Sequence, residues 1–274
     1  LYAEQDRDQF FDSSLGVVGG SWSHLFNDQT YGKLTLSASG EEAHSYHRLV
    51  YRDTNFALDS LVDKMRYQFT TYKNSLNYFV NHKFSPRSSV KLGLTTDYYT
   101  FHFIDSIYHE DVYTWEKRMN TDAASTMLVQ PYAEWKYKFT DALVLNTGLH
   151  SQYLLLNGSF AIEPRAGLRW NFSENQAISL GYGLHSRMQP AYIYYFQSNT
   201  SFGPLQQNKG LGFTKAHHAV LQYDLTISAS TRIRTETYFQ YLFDVPVETF
   251  PSSYSMLNEG SSYSRIFPAK LVNA

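Results

Sequence analysis

The sequence contains no Cys and no long apolar run, and charged residues are scarce. Without Cys the chain cannot form a disulfide scaffold, a thiolate metal site or a cysteine nucleophile. No stretch approaches the ~18 apolar residues that a membrane-spanning helix requires, so helical membrane proteins are excluded. Charged residues make up only 18% of the chain, and both signs are interspersed with a net charge of -2. No basic patch therefore indicates a nucleic acid as a partner.

Motifs of catalysis and of metal binding are also missing. The sequence has no Gly-x-Ser-x-Gly elbow, His-Glu-x-x-His pair or obvious carboxylate pair. His217 and His218 are adjacent, so on a strand they face opposite sides and cannot share an ion. His102, Asp105 and His109 could meet on a loop, but nothing in the sequence fixes their geometry. We therefore expect no enzyme activity, no catalytic residue, no cofactor and no metal.

The chain is rich in aromatic residues, and its predicted strands alternate apolar with small or polar residues. Tyr and Phe number 23 and 19 among 274 residues. Ile178, Leu180 and Tyr182 alternate with small and polar residues, and His185 and Arg187 continue the polar face. A one-residue slip of such a strand would exchange its two faces, so the register is fixed wherever one face meets an apolar environment.

A repeated unit divides the chain into hairpins. In four places an aromatic-tipped run is followed by a short turn of Ser, Thr, Asp, Asn or Pro and then by a new alternating run. The pattern predicts about ten strands, at 13–25, 31–44, 65–84, 89–103, 124–139, 143–156, 160–172, 176–188, 215–227 and 231–246.

The connections alternate in length along the chain. Short turns join the aromatic-tipped ends, whereas the opposite ends carry longer connections near 104–122, 189–214 and from 249 onward. Short turns on one side, long loops on the other and an aromatic girdle are typical of an outer-membrane β-barrel. A soluble β-sandwich also alternates, but these strands exceed its usual five or six residues. The pattern therefore favours an all-β, antiparallel transmembrane barrel.

Several stretches resemble TonB-dependent receptors of Bacteroidota, of the type with a carboxypeptidase-regulatory-like N-terminal domain. The most specific are residues 163–170 (EPRAGLRW) and 178–190 (ISLGYGLHSRMQP). Three further stretches are similar: residues 215–223 (KAHHAVLQY), 235–247 (TETYFQYLFDVPV) and 253–260 (SYSMLNEG). No single motif is diagnostic, but their order and spacing agree over most of residues 30–274.

The resemblance implies a 22-stranded barrel with short periplasmic turns, long extracellular loops and a plug domain in its lumen. Nothing in the chain resembles the plug, so residues 1–274 are expected to be one partial barrel domain. The implied partners are outer-membrane lipid, TonB acting through a plug outside this chain, and a nutrient ligand that is small or oligomeric. A self-contained barrel of ten strands remains an alternative.

Two groups of residues are candidates for function. Polar residues that alternate with the apolar ones would line the lumen, either as a contact surface for a ligand or plug or as a ladder of paired charges; they are Glu163, Arg165, Arg169, His185 and Arg187. Aromatic residues in the loop 189–214 would contact a ligand through their rings or pack on neighbouring elements; they are Tyr192, Tyr194, Tyr195 and Phe196.

Three functions are consistent with the sequence. The first is a wall segment of a TonB-dependent receptor that imports a nutrient such as an iron chelate or a glycan. The second is a small passive porin-like barrel or an adhesin. The third is a soluble β-protein that binds carbohydrate through exposed Tyr. A folded, water-soluble monomer with Trp170, Ile178 and Leu180 in its core would contradict the first two.

Overall fold

The computed structural model describes residues 6–259 and 270–274. In chain order its elements are β1 (Arg7–Asn27), β2 (Thr30–Arg52), β3 (Leu58–Ser85), β4 (Ser88–His109), β5 (Thr114–Lys138), β6 (Leu143–Leu154), β7 (Ser159–Ser173), β8 (Gln176–Arg187), α1 (Ala191–Tyr195), β9 (Ser198–Thr200), β10 (Gly203–Leu205), β11 (Thr214–Ser228), β12 (Thr231–Phe243), β13 (Pro246–Glu248), α2 (Met256–Glu259) and β14 (Leu271–Asn273). Neither helix in these ranges is long and apolar enough to cross a membrane.

One antiparallel sheet of ten strands dominates the molecule. Its order is β1 to β8 followed by β11 and β12, so each strand pairs with the next strand of this sheet along the chain, and β9 and β10 form a separate pair. Within the described residues, the two edge strands β1 and β12 do not pair with each other. The predicted all-β antiparallel fold of about ten strands is confirmed.

Tight turns lie at one end of the sheet, which we call the short-turn end. They fall at residues 28–29, 86–87, 139–142, 174–175 and 229–230. At the opposite, long-loop end, the longest connection is 188–213, which carries α1, β9 and β10. A tight reversal at Asn157 also lies at this end: Gly158 has φ +73°, and the Ser159 amide donates to Asn157 Oδ1 at 3.0 Å.

Strands at the long-loop end extend further than predicted. The prediction of a loop over 104–122 is wrong, because β4 continues to His109 and β5 begins at Thr114. Asp105 pairs with Met119 across this hairpin. The alternation fades here because the inner face carries buried apolar rings as well as polar groups, so period two no longer separates polar from apolar.

The sheet is strongly curved, and its two faces differ in chemistry. Asn77 of β3 and His218 of β11 line one cavity, although six strand spacings on a flat sheet would separate their strands by roughly 29 Å. The face with these residues is therefore concave. The opposite, convex face carries Leu180, 53% exposed, and Trp170, 52% exposed. The predicted register is correct, because the apolar set lies together on the convex face.

The convex face has the dimensions of a lipid-contacting band. On β7 alternate residues point outward from Phe160 to Phe172, and between them lie Ile162 and Leu168. Twelve residue steps span roughly 40 Å along the strand, and a tilt of about 40° reduces the height to roughly 30 Å. An aromatic residue at each end and aliphatic residues between them form the outward pattern of a transmembrane strand.

The buried core lies on the concave side. Leu154 and Met119 are completely buried, and they pack with rings from β4 and from the loop 188–213. A soluble β-sandwich would instead bury the apolar face of its alternating strands, and here that face is exposed.

Candidate ligand cavity on the concave face

Three cavities follow one another along the concave face. The upper cavity, about 1010 Å³, lies beside α1 at the long-loop end and reaches Glu163. The lower cavity, about 890 Å³, lies nearer the short turns and reaches Gly167. The rim cavity, about 490 Å³, lies at the short turns and includes Arg169. His150, Arg165 and His185 line both the upper and the lower cavity, so these two are adjacent.

The structure places all five candidate lumen residues on the concave face. The upper cavity is lined by Glu163, Arg165, His185 and Arg187, and the rim cavity by Arg169. Their alternation with outward apolar residues comes directly from the period-two sequence. Whether they line the lumen of a closed barrel stays a prediction.

Glu163 is the most heavily bonded of these residues. Its carboxylate, 1% exposed, accepts hydrogen bonds from Gln152 Nε2 at 2.5 Å, the Ser186 amide at 2.9 Å and Arg165 Nη2 at 2.6 Å. His150 Nδ1 lies 2.9 Å from the same carboxylate. A buried carboxylate is tolerated only when its charge is compensated in this way. Glu163 therefore joins β6, β7 and β8 and directs no free charge into the cavity.

Arg169 belongs to a second network that the sequence did not reveal. Asp224 of β11 accepts from Arg169 Nη1 at 3.0 Å, Arg232 Nη2 at 2.7 Å and Arg234 Nε at 3.1 Å. The Gln222 amide adds a bond at 2.8 Å. Residues on β7, β11 and β12 thus converge on one carboxylate across the intervening strand β8, which holds the sheet together at the short-turn end. Only the strand register could have predicted this convergence.

The histidines and glycines of the concave face are arranged by strand pairing. His185 and His218 meet edge to face with ring centroids 4.9 Å apart. A Cβ on Gly183 would lie 2.7 Å from His185 Nε2, so glycine leaves the room that this imidazole occupies. His217 stacks instead on Tyr182 of the convex face, as expected for adjacent residues of a strand.

The second histidine group does not come together. His102 and Asp105 lie on opposite faces of β4, so they do not meet on a loop as the sequence suggested. His102 pairs with Asp122 at 3.4 Å, and His109 pairs with Glu116 at 2.7 Å. Among residues 6–259 and 270–274, no three His, Asp or Glu side chains are arranged to hold a metal ion.

The aromatic segment of the long loop is folded inward. Tyr194, Tyr195 and Phe196 are 1%, 3% and 5% exposed, and the Tyr195 ring lies 5.6 Å from that of Phe101. Of the two alternatives that the sequence leaves open for these rings, packing on neighbouring elements describes their positions, because an apolar turn of helix next to the rings of β4 is more stable buried than hydrated. Contact between these rings and a ligand stays a prediction. Burial also raises the pKa of Tyr194 to about 12.

Tyr192 is the exception in this segment. Its ring is only partly buried, lines the upper cavity, and stacks on Phe69 at 6.1 Å with an interplanar angle of 8°. Contact between Tyr192 and a ligand stays a prediction, and Tyr192 has the cavity position that such contact requires.

Hydrogen bonds hold the loop 188–213 in place. The Gln197 amide donates to the Arg118 carbonyl at 2.8 Å, and the Leu271 amide donates to Asn208 Oδ1 at 2.8 Å. Asn157 Nδ2 donates to the Leu211 carbonyl at 2.7 Å. The loop is therefore a fixed wall of the upper cavity, bonded to strands and to the last described segment of the chain.

We expect Ile193→Ala to loosen this wall. Ile193 is completely buried in the inner core, so its truncation should cost about 2–5 kcal/mol. Limited proteolysis of the full-length protein should then show faster cleavage within residues 196–212. Leu205→Ala is the matched control on the same loop, because Leu205 is 52% exposed. Equal cleavage of both variants and the wild type would contradict the inward packing.

No protein-family model matches the chain, and neither does any curated protein. Several solved structures do match it. The pyoverdine outer membrane receptor FpvA from Pseudomonas aeruginosa PAO1 superimposes with a TM-score of 0.64 at 14% identity, over 96% of this chain and 40% of the receptor. The RagAB peptide transporter gives 0.61 at 13% identity, over 89% of this chain and 32% of the other. The copper transporter OprC gives 0.59 at 12% identity, over 86% and 40%.

Similarity at these identities establishes the fold. The class that the fold defines is the outer-membrane β-barrel. Within that class the chain has the fold of part of the barrel wall of a TonB-dependent receptor, the family to which all three matched structures belong. The chain spans 32–40% of the length of these three proteins. The resemblance inferred from the sequence is confirmed at the level of the fold.

Proposed function

We propose that this chain is a wall segment of a TonB-dependent receptor in the bacterial outer membrane, where it takes part in energy-coupled import of a nutrient. The observation that carries the proposal is the two-faced sheet. Its convex face is apolar over the height of a bilayer, and its concave face is polar and lined by cavities. A wall between lipid and an aqueous passage requires both properties.

The two ends of the sheet have different roles in this proposal. The short-turn end faces the periplasm, and the long-loop end faces the outside, as in outer-membrane barrels generally. The ligand enters from the long-loop end and reaches the upper cavity, where Tyr192 offers an aromatic surface. The chain supplies binding surface and passage, without covalent chemistry.

TonB and a plug domain are the proposed partners that lie outside this chain. Transport through such a receptor needs a movable occupant of the lumen, since a fixed wall cannot couple energy to release of the ligand. The lower cavity, below the ligand position and open toward the lumen, offers the wall surface on which a plug would rest. The alternative of a passive ten-stranded barrel is less well supported, because β1 and β12 do not pair with each other in the described residues.

Deletion and complementation of the full-length gene test the proposal. The deletion strain should lose growth on one source within a panel of iron chelates, peptides and glycans. The intact gene should restore growth only in cells that have TonB. Restoration that is equally good without TonB would support a passive pore instead. Recovery of the folded protein from the soluble fraction, without detergent, would contradict both membrane functions.

A further inference from the structure

The upper cavity has an aromatic side and a polar side. Tyr192 and Phe69 stack on one another, and Phe101 lies beside them. Gln130 and Arg187 belong to the polar side. Its volume of about 1010 Å³ is at the upper end of the range for small-molecule sites, so it can accommodate a short oligomer.

Most charges that line this cavity are already compensated within the wall. Glu163 is saturated by its five hydrogen-bonding contacts, and Arg165 is bonded to it. Glu42 accepts a hydrogen bond from Gln68 at 2.5 Å. These groups therefore hold the strands together and leave little net charge for a ligand.

Two charges of opposite sign are left over. Arg187, at the end of β8, is exposed and forms no ion pair with the described residues. Glu41, on β2, is also exposed and has no hydrogen-bond or ion-pair partner within the same ranges. Both line the upper cavity, and six strand spacings separate β2 from β8 in the sheet. The cavity thus presents a cation and an anion on different parts of its wall.

We propose that the ligand of this cavity is a short peptide with free termini, bound through its carboxylate by Arg187 and through its ammonium group by Glu41. A guanidinium binds a carboxylate with two parallel hydrogen bonds, which gives both strength and orientation. The stacked rings of Tyr192 and Phe69 would receive an apolar side chain of the peptide. The inference rests on the proposed receptor function, because it needs the cavity to be a ligand site.

Calorimetry on the purified full-length receptor in detergent tests the inference. The probe is the tetrapeptide Ala-Ala-Phe-Ala in three forms: with free termini, as its C-terminal amide, and with an acetylated N-terminus. Loss of one charge-assisted contact should weaken binding by about 10- to 100-fold. We expect the amide to bind the wild type that much more weakly, and we expect Arg187→Gln to weaken binding of the free peptide equally.

The informative result is whether each variant still distinguishes the free peptide from the form that lacks one terminal charge. Arg187→Gln should no longer distinguish the free acid from the amide, and Glu41→Gln should no longer distinguish the free amine from the acetylated form. Arg232→Gln is the matched control, since Arg232 lies on the concave face at the rim cavity, and it should leave binding within about twofold. Ferric citrate is added as a carboxylate ligand that is not a peptide.

Each other outcome overturns the inference. Absence of peptide binding to the wild type, or continued discrimination by both variants, would refute a zwitterionic ligand. Binding of ferric citrate alone, if it depended on Arg187, would indicate a chelate. In these cases, TonB-dependent uptake of another nutrient would still support the proposed receptor function. Failure of that uptake as well, in a protein that inserts into the membrane, would refute the proposed function itself.

Discussion

Variants that carry Leu180→Arg or Leu221→Arg are expected to be absent from the outer membrane. The two residues are directly paired on neighbouring strands, and their side chains are 53% and 49% exposed on the convex face. They lie near the middle of the apolar band, where an Arg facing lipid costs about 2–4 kcal/mol. That cost is a large part of the net stability of a folded protein, so assembly should fail.

Val220→Arg is the matched control for this prediction. Val220 precedes Leu221 on β11, pairs with Gly181, and lines the lower cavity. Its replacement places the same charge one residue away, on the concave side, where water can solvate it. The measurement is the amount of protease-resistant, heat-shiftable protein in the outer-membrane fraction. If all three variants were lost from the outer membrane to the same extent, or all three assembled equally well, the assignment of the convex and concave faces would be contradicted.

Arg118→Met is expected to have the second large effect. Arg118 and Asp105 form a bidentate ion pair at 2.6 and 3.1 Å, with side chains 5% and 0% exposed. Removing the guanidinium leaves the Asp105 carboxylate buried without its main counter-charge, which should destabilise the fold by about 3–5 kcal/mol. The inner core at the long-loop end should loosen first, since Gln197 of the loop 188–213 is bonded to the Arg118 carbonyl.

The double variant Arg118→Met with Asp105→Leu separates charge from packing. It removes both charges and fills similar space, so it should be more stable than Arg118→Met alone. Urea unfolding of the full-length protein in detergent, with hydrogen exchange over residues 188–213, would rank the stabilities of the wild type and the two variants. A double variant that is less stable to urea than Arg118→Met alone would show that Arg118 acts mainly through contacts other than this ion pair.

The sequence predicted those parts of the fold that depend on local periodicity. Alternation around Leu180 and Trp170 fixed the register and the outward face, and turn residues such as Pro86 and Asn175 marked the short-turn end. Prediction failed where the strands leave the apolar band. In the hairpin around Asp105 and Arg118 the inner face carries both polar and buried apolar groups, so apolar and polar residues no longer alternate in the sequence. Residues that form strands were therefore predicted to be a loop.

The candidate site was less predictable because it depends on contacts between distant strands. Arg169 could be placed on the inner face from its own strand, but its partner Asp224 is 55 residues away. The sequence could not decide whether the rings of residues 194–196 contact a ligand or pack on neighbouring elements, because it does not show that Phe101 and Leu154 offer them a core. Likewise, Arg187 can be recognised as unpaired among the described residues only after the partner of every nearby carboxylate is known.

A cysteine scan of β11 tests the lipid-facing assignment of the convex side most directly, and the absence of Cys from this chain provides a clean background. Spin labels at successive positions from 216 to 223 of the full-length protein, in lipid bilayers, would be probed with oxygen and with a water-soluble nickel complex. We expect strict alternation, with oxygen accessibility at 217, 219, 221 and 223 and nickel accessibility at 216, 218, 220 and 222. Labels at 219 and 221 that were shielded from oxygen, or that were accessible to the nickel complex, would contradict a lipid-facing convex side.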